Sequence, residues 1–252
     1  MARLLRHFIE PPRVCSYLKD REASLEIKIM LDTSPQELEN MLIRGWRRFG
    51  PCYFRPACET CQGCVSIRLP TKDFVISANQ RRAKKNCAKL RVVVGVPKVD
   101  RKRLALYHKW HQFREGERGW DASPLNTESY AMEFAFPHPA ARELLYYDDE
   151  PPDGGPPRLI GVGLCDETPN AWSAIYFFYD PDYAKLSLGT FNVVYQVELA
   201  KSKGLPHVYL GYRIEECESM QYKMKFLPHD LLIERPNEET LPPWFRAPDK
   251  EK

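Results

Sequence analysis

The sequence predicts an α+β fold: a mixed sheet flanked by helices, preceded by an N-terminal α/β region that carries a cysteine-rich loop. Three observations predict it. Residues 158–214 read strand, strand, helix, strand, which is the core order of an acetyltransferase-like (GNAT-type) sheet. Upstream of them, apolar runs of strand length alternate with helix-length segments that carry start and stop signals. Between residues 52 and 64, four cysteines (Cys52, Cys58, Cys61, Cys64) crowd among aromatic and arginine neighbours.

The chain has 252 residues, 43% of them hydrophobic and 28% charged, enough for a sizeable core in a soluble protein. No segment approaches the roughly 18 apolar residues of a membrane span. The basic start, "MARLLRHFIEPPRV", has neither the apolar run nor the cleavage pattern of an export signal. A cytoplasmic, reducing location is expected, where clustered cysteines serve as metal ligands, reactive thiols or packing residues rather than disulfides. The net charge of +3 hides an asymmetry: residues 1–120 carry 25 Lys and Arg against 12 Asp and Glu, residues 121–252 carry 12 against 22. A basic front half fits a polyanionic partner, with folded RNA the obvious candidate.

"EASLEIKIM" (22–30) alternates as a strand does. A helix follows, with Ser34 as cap, Pro35 at its first position and Glu37 in its first turn; Gly50 stops it. After the cysteines, "VSIRLPTKDF" reads as a strand and "SANQRRAKKNCAKL" as a basic helix capped at Ser77. "RVVVGVP" is a short strand, "DRKRLALYHKWHQFRE" a helix rich in aromatic and basic residues, and "GERGWD" a loop. "YDDEPPDGGPPR" (147–158) is a hairpin tip, because Pro, Gly and acidic residues there exclude regular structure. "LIGVGLCDE" and "AWSAIYFFYD" are adjacent antiparallel strands, "LSLGTFNVVYQVELAKSKG" a helix ending at Gly204, and "HVYLGYRI" a further strand. The expected division is residues 1–75 as the Cys-rich region, 76–235 as the catalytic domain and 236–252 as a peripheral tail.

Five segments, "YFRPACETCQGCVSIRL", "SANQRRAKKN", "LYHKWHQFR", "SAIYFFYDPDYAKLSLGTF" and "VYLGYRIEECESMQYKMKFLPHDLL", carry a resemblance. In them the chain resembles the aminoacyl-tRNA–protein transferases of the N-degron pathway, and most the bacterial aspartate/glutamate leucyltransferase branch. The resemblance runs from about Cys15 to about Leu232. It implies transfer of leucine from leucyl-tRNA to the α-amine of proteins that begin with Asp or Glu, and an acetyltransferase-like catalytic domain.

The residues fit that chemistry. Arg81, Arg82, Lys84 and Lys85 place charges on a shared helical face at i, i+3 and i+4, suited to tRNA phosphates; a solvated helix surface has the same pattern. The donor ester is already activated, so juxtaposing amine and carbonyl does much of the work, and no cofactor is required. GxSxG is absent, and so is the glycine-rich pyrophosphate loop of acetyl-CoA users. In "IYFFYDPD", Tyr176, Tyr179 and Asp180 are candidate catalytic residues at a strand end facing the reaction centre, with Tyr179 a donor to the leaving oxygen and Asp180 a partner for the incoming amine. The same residues also suit a core position and a turn cap. Leu188 and Gly189 open a helix whose free amides suit a phosphate or carboxylate. Arg55, Arg68 and Arg213 are candidates for the acceptor's acidic side chain. Tyr212 is expected to line the same pocket, and Trp110, Phe177 and Leu188 the leucyl slot.

Cys58, Cys61 and Cys64 have ligand-like spacing, and four thiolates hold structural zinc or an iron–sulfur cluster. Cys15 or Cys52 has to supply the fourth; the set taken here is Cys15, Cys58, Cys61 and Cys64. Reactive or substrate-lining thiols and inert packing are the other two readings. Eukaryotic relatives carry a second thiol where this chain has Leu18. Cys87, Cys165 and Cys217 are isolated and expected to be buried.

Overall fold

The computed structural model describes residues 2–118, 122 and 125–248. Fourteen strands appear among them. β1 (Arg3–Ile9), β4 (Leu25–Leu31), β5 (Arg47–Phe49) and β6 (Cys52–Pro56) form a small antiparallel sheet in the order β1-β4-β6-β5. β2 (Arg13–Val14) and β3 (Glu22–Ala23) pair as a short ladder beside it. The large sheet runs β14-β13-β7-β12-β11-β10-β9-β8. Its strands are β7 (Val65–Pro70), β8 (Arg91–Gly95), β9 (Ala141–Asp148), β10 (Arg158–Thr168), β11 (Ala171–Tyr179), β12 (His207–Arg213), β13 (Asp230–Leu232) and β14 (Phe245–Arg246). The helices are α1 (Pro35–Leu42), α2 (Ala78–Asn86), α3 (Arg101–Arg118), α4 (Thr127–Phe134), α5 (Leu188–Ser202) and the single turn α6 (Glu218–Gln221). This is an α+β structure with a large mixed sheet flanked by helices.

Local signals explain the helix starts. Ser34 and Glu37 cap α1 reciprocally with Pro35 at its first position, and Ser77 and Gln80 do the same for α2. Gly204 has φ +72 just past α5. Asp148 and Arg158 pair across the 149–157 turn, so this segment is a hairpin tip. α3 runs to Arg118, three residues into the expected "GERGWD" loop. The rest of that loop, residues 119–121, lies outside the described residues.

The large sheet buries both faces, and strand alternation decides which residues go where. Val208 and Leu210 of β12 join Ile67, Trp172, Val194 and Val197 on the face covered by α2 and α5. Tyr209 points the other way, into a cluster with Leu38, Leu42, Trp46 and Tyr53 of the first 56 residues. On the same side, Leu106, Tyr107 and Trp110 of α3 pack with Tyr130, Val162 and Phe178. Two buried ion pairs tie these layers, Arg48–Asp166 and Arg103–Glu143. Losing one partner of such a pair leaves a bare buried charge, which costs about 3–5 kcal/mol.

Two features of the sheet position the site. β7 lies between β12 and β13, so the strand that follows the cysteine loop is internal to the large sheet. β11 and β12 are parallel, yet only Ala171–Ser173 pair with His207–Tyr209. Beyond those three pairs the strands separate. β11 continues to Tyr179 along β10, and β12 to Arg213 along β7.

Candidate active site at the parted ends of two strands

In a parallel pair, the carboxyl ends of the strands and the loops that leave them lie together, which favours ligand sites there. Here β11 ends in Tyr176 and Tyr179 with Asp180 just beyond it, β12 ends in Tyr212 and Arg213, and the cysteine loop leads into β7 beside Arg213; Tyr212 lines one pocket with the cysteines, and Asp180 borders another.

α3 crosses β11 and presents Tyr107, Trp110, His111 and Arg114, which share one helical face at i, i+3, i+4 and i+7. The Tyr176 hydroxyl lies 2.9 Å from His111 Nε2. Tyr176 stacks on Phe134 with ring centroids 5.6 Å apart, and His111 stacks on Tyr107 at 4.1 Å. Burial lowers the His111 pKa, so this imidazole is neutral at pH 7. Burial also raises the pKa of Tyr176, which stays a phenol. A neutral imidazole against a phenol, both fixed by packing, can pass a proton between them. Sequence reasoning assigned no role to His111. The signal available was its helical spacing from Tyr107 within "LYHKWHQFR".

Tyr179 packs 4.4 Å from Trp110 and 5.6 Å from Phe177, so Trp110 and Phe177 both border the strand end. Asp180 is buried. Its Oδ1 is 2.6 Å from Lys109 Nζ and accepts from the Asp182 amide at 3.1 Å, capping the turn that begins at Pro181. The carboxylate is thus already engaged. It stands on the rim of a cavity of about 380 Å³ that Lys102, Lys109 and Arg158 also line.

The start of α5 is open. Ser187 sits at φ +62 with no side-chain cap, and a Cβ at Gly189 would meet nothing within 4 Å. Leu188 is fully buried on the α2/α5 face, so it roots the helix instead of lining a slot. Arg81, Arg82, Lys84 and Lys85 are all exposed on α2, which packs on α5 with Ala83 in the shared core. Lys84 pairs with Glu198 at 2.6 Å, and Arg81 donates to the Ile76 carbonyl at 2.7 Å.

The arginines proposed for the acidic acceptor are occupied. Arg55 pairs with Glu26 at 2.6 Å, donates to the Pro236 carbonyl at 2.8 Å and covers the Trp46 ring. Arg68 pairs with Asp230 at 3.2 Å beneath Trp244. Arg213 reaches Glu215 at 3.3 Å, with its Nε buried and unpaired. The Tyr212 hydroxyl donates to the Gly45 carbonyl at 2.7 Å, joining β12 to the loop before β5.

Cys15, Cys58, Cys61 and Cys64 do come together. They line one pocket of about 160 Å³ with Tyr17, Phe54, Tyr212 and Ile214. The Gly63 amide and then Arg21 stabilise the Cys61 thiolate and lower its pKa, whereas burial pushes Cys64 up to about 12. Cys58 Sγ is 3.7 Å from the Ser24 carbonyl. Among the described residues, no three His, Cys, Asp or Glu side chains are grouped to hold a metal ion. Cys87, Cys165 and Cys217 are buried.

No helix among the described residues is long and apolar enough to cross a membrane. Residues 13–82 match the family description "Arginine-tRNA-protein transferase, N terminus", and residues 102–233 match "Arginine-tRNA-protein transferase, C terminus". An aspartate/glutamate leucyltransferase of Helicobacter hepaticus is 33% identical over 241 residues, covering 95% of this chain and 97% of that one. That of Chromohalobacter salexigens is 34% identical over 238 residues, 92% of each chain. That of Stenotrophomonas maltophilia is 35% identical over 229 residues, 89% of this chain and 88% of that one. Among solved structures, L-PGS from Bacillus licheniformis aligns with a TM-score of 0.44 at 14% identity, over 60% of this chain and 47% of that one.

Proposed function

The chain belongs to the arginine-tRNA–protein transferase family, and we propose that it works as the aspartate/glutamate leucyltransferases among its relatives do. It transfers leucine to the N-terminal amine of proteins that begin with Asp or Glu, from leucyl-tRNA as donor. The observation that carries this reading is identity of 33–35% along nearly the full length of both chains.

The acceptor's α-amine attacks the ester carbonyl of the charged tRNA. A C–N bond forms, the C–O bond to the terminal ribose breaks, and the proton shed by nitrogen ends on the ribose oxygen. The neutral His111 accepts that proton through the Tyr176 hydroxyl and returns it by the same path. Its lowered pKa makes the imidazolium short-lived, which suits a carrier rather than a store. Tyr179 and Trp110 wall the reaction centre at the end of β11.

The donor enters along α2 and α5. Arg82 and Lys85 track phosphates without reading bases. The open helix start at Gly189, together with Lys102 on the cavity that Asp180 borders, receives the acceptor end. An acetyltransferase-like sheet, parted between β11 and β12, brings the two substrates together from opposite sides.

The test mixes purified protein with labelled leucyl-tRNA and peptides beginning with Asp, Glu or Ala. Leucine is expected on the acidic peptides alone. Arginyl-tRNA in the same assay separates leucyl from arginyl transfer, and label on none of the peptides rejects the reading.

A further inference from the structure

Two cations lie buried between the parted strands, and among the described residues no carboxylate is bonded to either. Arg47 is 7% exposed and Lys223 is 6% exposed. Arg47 spans the gap: one nitrogen donates to Ser173 Oγ on β11, another to the Gly211 carbonyl on β12, each at 3.2 Å. Its Nε is buried with no hydrogen-bond partner. Lys223, from the turn after α6, donates to the Tyr212 carbonyl at 2.6 Å. The acid that influences Arg47, Asp166, is committed to Arg48 through both of its oxygens.

Both cations converge on one spot. Gly211 has φ +83, and a Cβ built there would lie 3.7 Å from Lys223 Nζ and 3.9 Å from Arg47 Nε. The strand omits a side chain at the place the two charges face. The wall beside it is Tyr212, whose ring lies 5.9 Å from the Arg47 guanidinium and which lines the thiol pocket together with Cys64. Burying two like charges without a counter-ion is costly, and folds keep such groups where a ligand supplies the missing charge. The cost shows in Lys223, whose pKa burial and then Arg47 lower to about 7.

We propose that Arg47 and Lys223 bind the side-chain carboxylate of the acceptor's first residue, in the space that Gly211 leaves beside the thiol pocket. This rests on the transferase reading and adds what selects its acceptor. A carboxylate suits the site: it is small, it carries one negative charge, and it takes hydrogen bonds from both cations. The thiol pocket then receives the backbone and second residue of the acceptor on a mainly apolar surface.

The experiment is titration calorimetry on the full chain. One tetrapeptide begins with Asp, and its isostere begins with Asn. The native protein is expected to prefer the Asp peptide by roughly tenfold or more. Lys223→Met is expected to erase that preference while binding of leucyl-tRNA stays unchanged and the melting temperature holds or rises, because an unpaired buried charge is gone. Arg47→Met is the second variant, expected to do the same to the preference. The proposal is overturned if the native protein shows no preference, if folded Lys223→Met keeps it, or if leucyl-tRNA binding is lost instead. The two readings fail separately. Selective peptide binding without leucine transfer rejects the reaction and keeps this site. Transfer with an intact preference in Lys223→Met rejects this site and keeps the reaction.

Discussion

The Tyr176 hydroxyl and His111 Nε2 lie 2.9 Å apart where α3 crosses β11, and each ring is held by its own stacking partner. If they carry the proton, Tyr176→Phe lowers kcat by about 10²–10⁴-fold. The KM for the acceptor peptide changes little. The lost hydrogen bond costs the fold only about 1 kcal/mol. Steady-state transfer kinetics and a thermal melt on the same sample check this, and His111→Gln is expected to match Tyr176→Phe in kcat.

Gly189 and Gly50 separate a substrate role from a folding role. A Cβ at Gly189 meets open space, and alanine favours a helix, so Gly189→Ala leaves the melting temperature unchanged or slightly raised. Its methyl group intrudes on the amides proposed for the donor, and the KM for leucyl-tRNA rises. Gly50 has φ +52, and a Cβ there would fall 2.0 Å from the Met132 carbonyl oxygen. Gly50→Ala therefore destabilises by about 3 kcal/mol or more, visible as lost soluble yield.

Arg82 and Lys85 report on phosphate contacts, since Lys84 on the same helix is already paired with Glu198. Replacing both with alanine weakens leucyl-tRNA binding and lowers the slope of log affinity against log salt by about 1–2. Filter binding across a salt series measures it, and binding of the acceptor peptide stays constant.

The thiols differ in reactivity. The Gly63 amide and Arg21 favour the Cys61 thiolate, whereas Cys64 is pushed to about 12 and Cys87 to about 12 by burial. Brief alkylation at pH 7.5 followed by peptide mapping is expected to label Cys61 well before Cys64 or Cys87.

His138 and His207 make the fold acid-sensitive. Burial, and then Arg48 and Arg68 respectively, lower each to about 4. The unfolded chain takes up their protons first, near pH 6.5, so the stability they confer is complete above that value and lost as pH falls toward 4. Each contributes on the order of 1–3 kcal/mol across that window. Melting temperatures fall from pH 7.5 to 4.5, and His207→Gln flattens the decline.

Much of the fold was legible where a local signal decides the structure. The Ser34–Pro35–Glu37 start, the Ser77 cap and the Gly204 stop all act within one helical turn, and two apolar runs of strand length marked the antiparallel pair within 158–179. β1 was not legible: both of its faces are exposed, so no alternation marks it. α4 begins with an Asn126–Ser129 capping box that was overlooked. In the site, Tyr176 and Tyr179 stood out as tyrosines at a strand end. Arg47 and Lys223 did not, because one-dimensional sequence gives a buried cation the same appearance as a solvated one. Only the packing of β5 and of the turn after α6 against β12 separates them from Arg48, which has its acid, and Lys225, which is exposed.

The internal position of β7 also governs how the molecule comes into being. Its partners, β12 and β13, leave the ribosome more than a hundred residues after it, so Val65–Pro70 waits unpaired until most of the chain has been synthesised. Cutting the gene after residue 75 would strip the later fragment of a middle rung and leave the earlier one with a strand that has no neighbours.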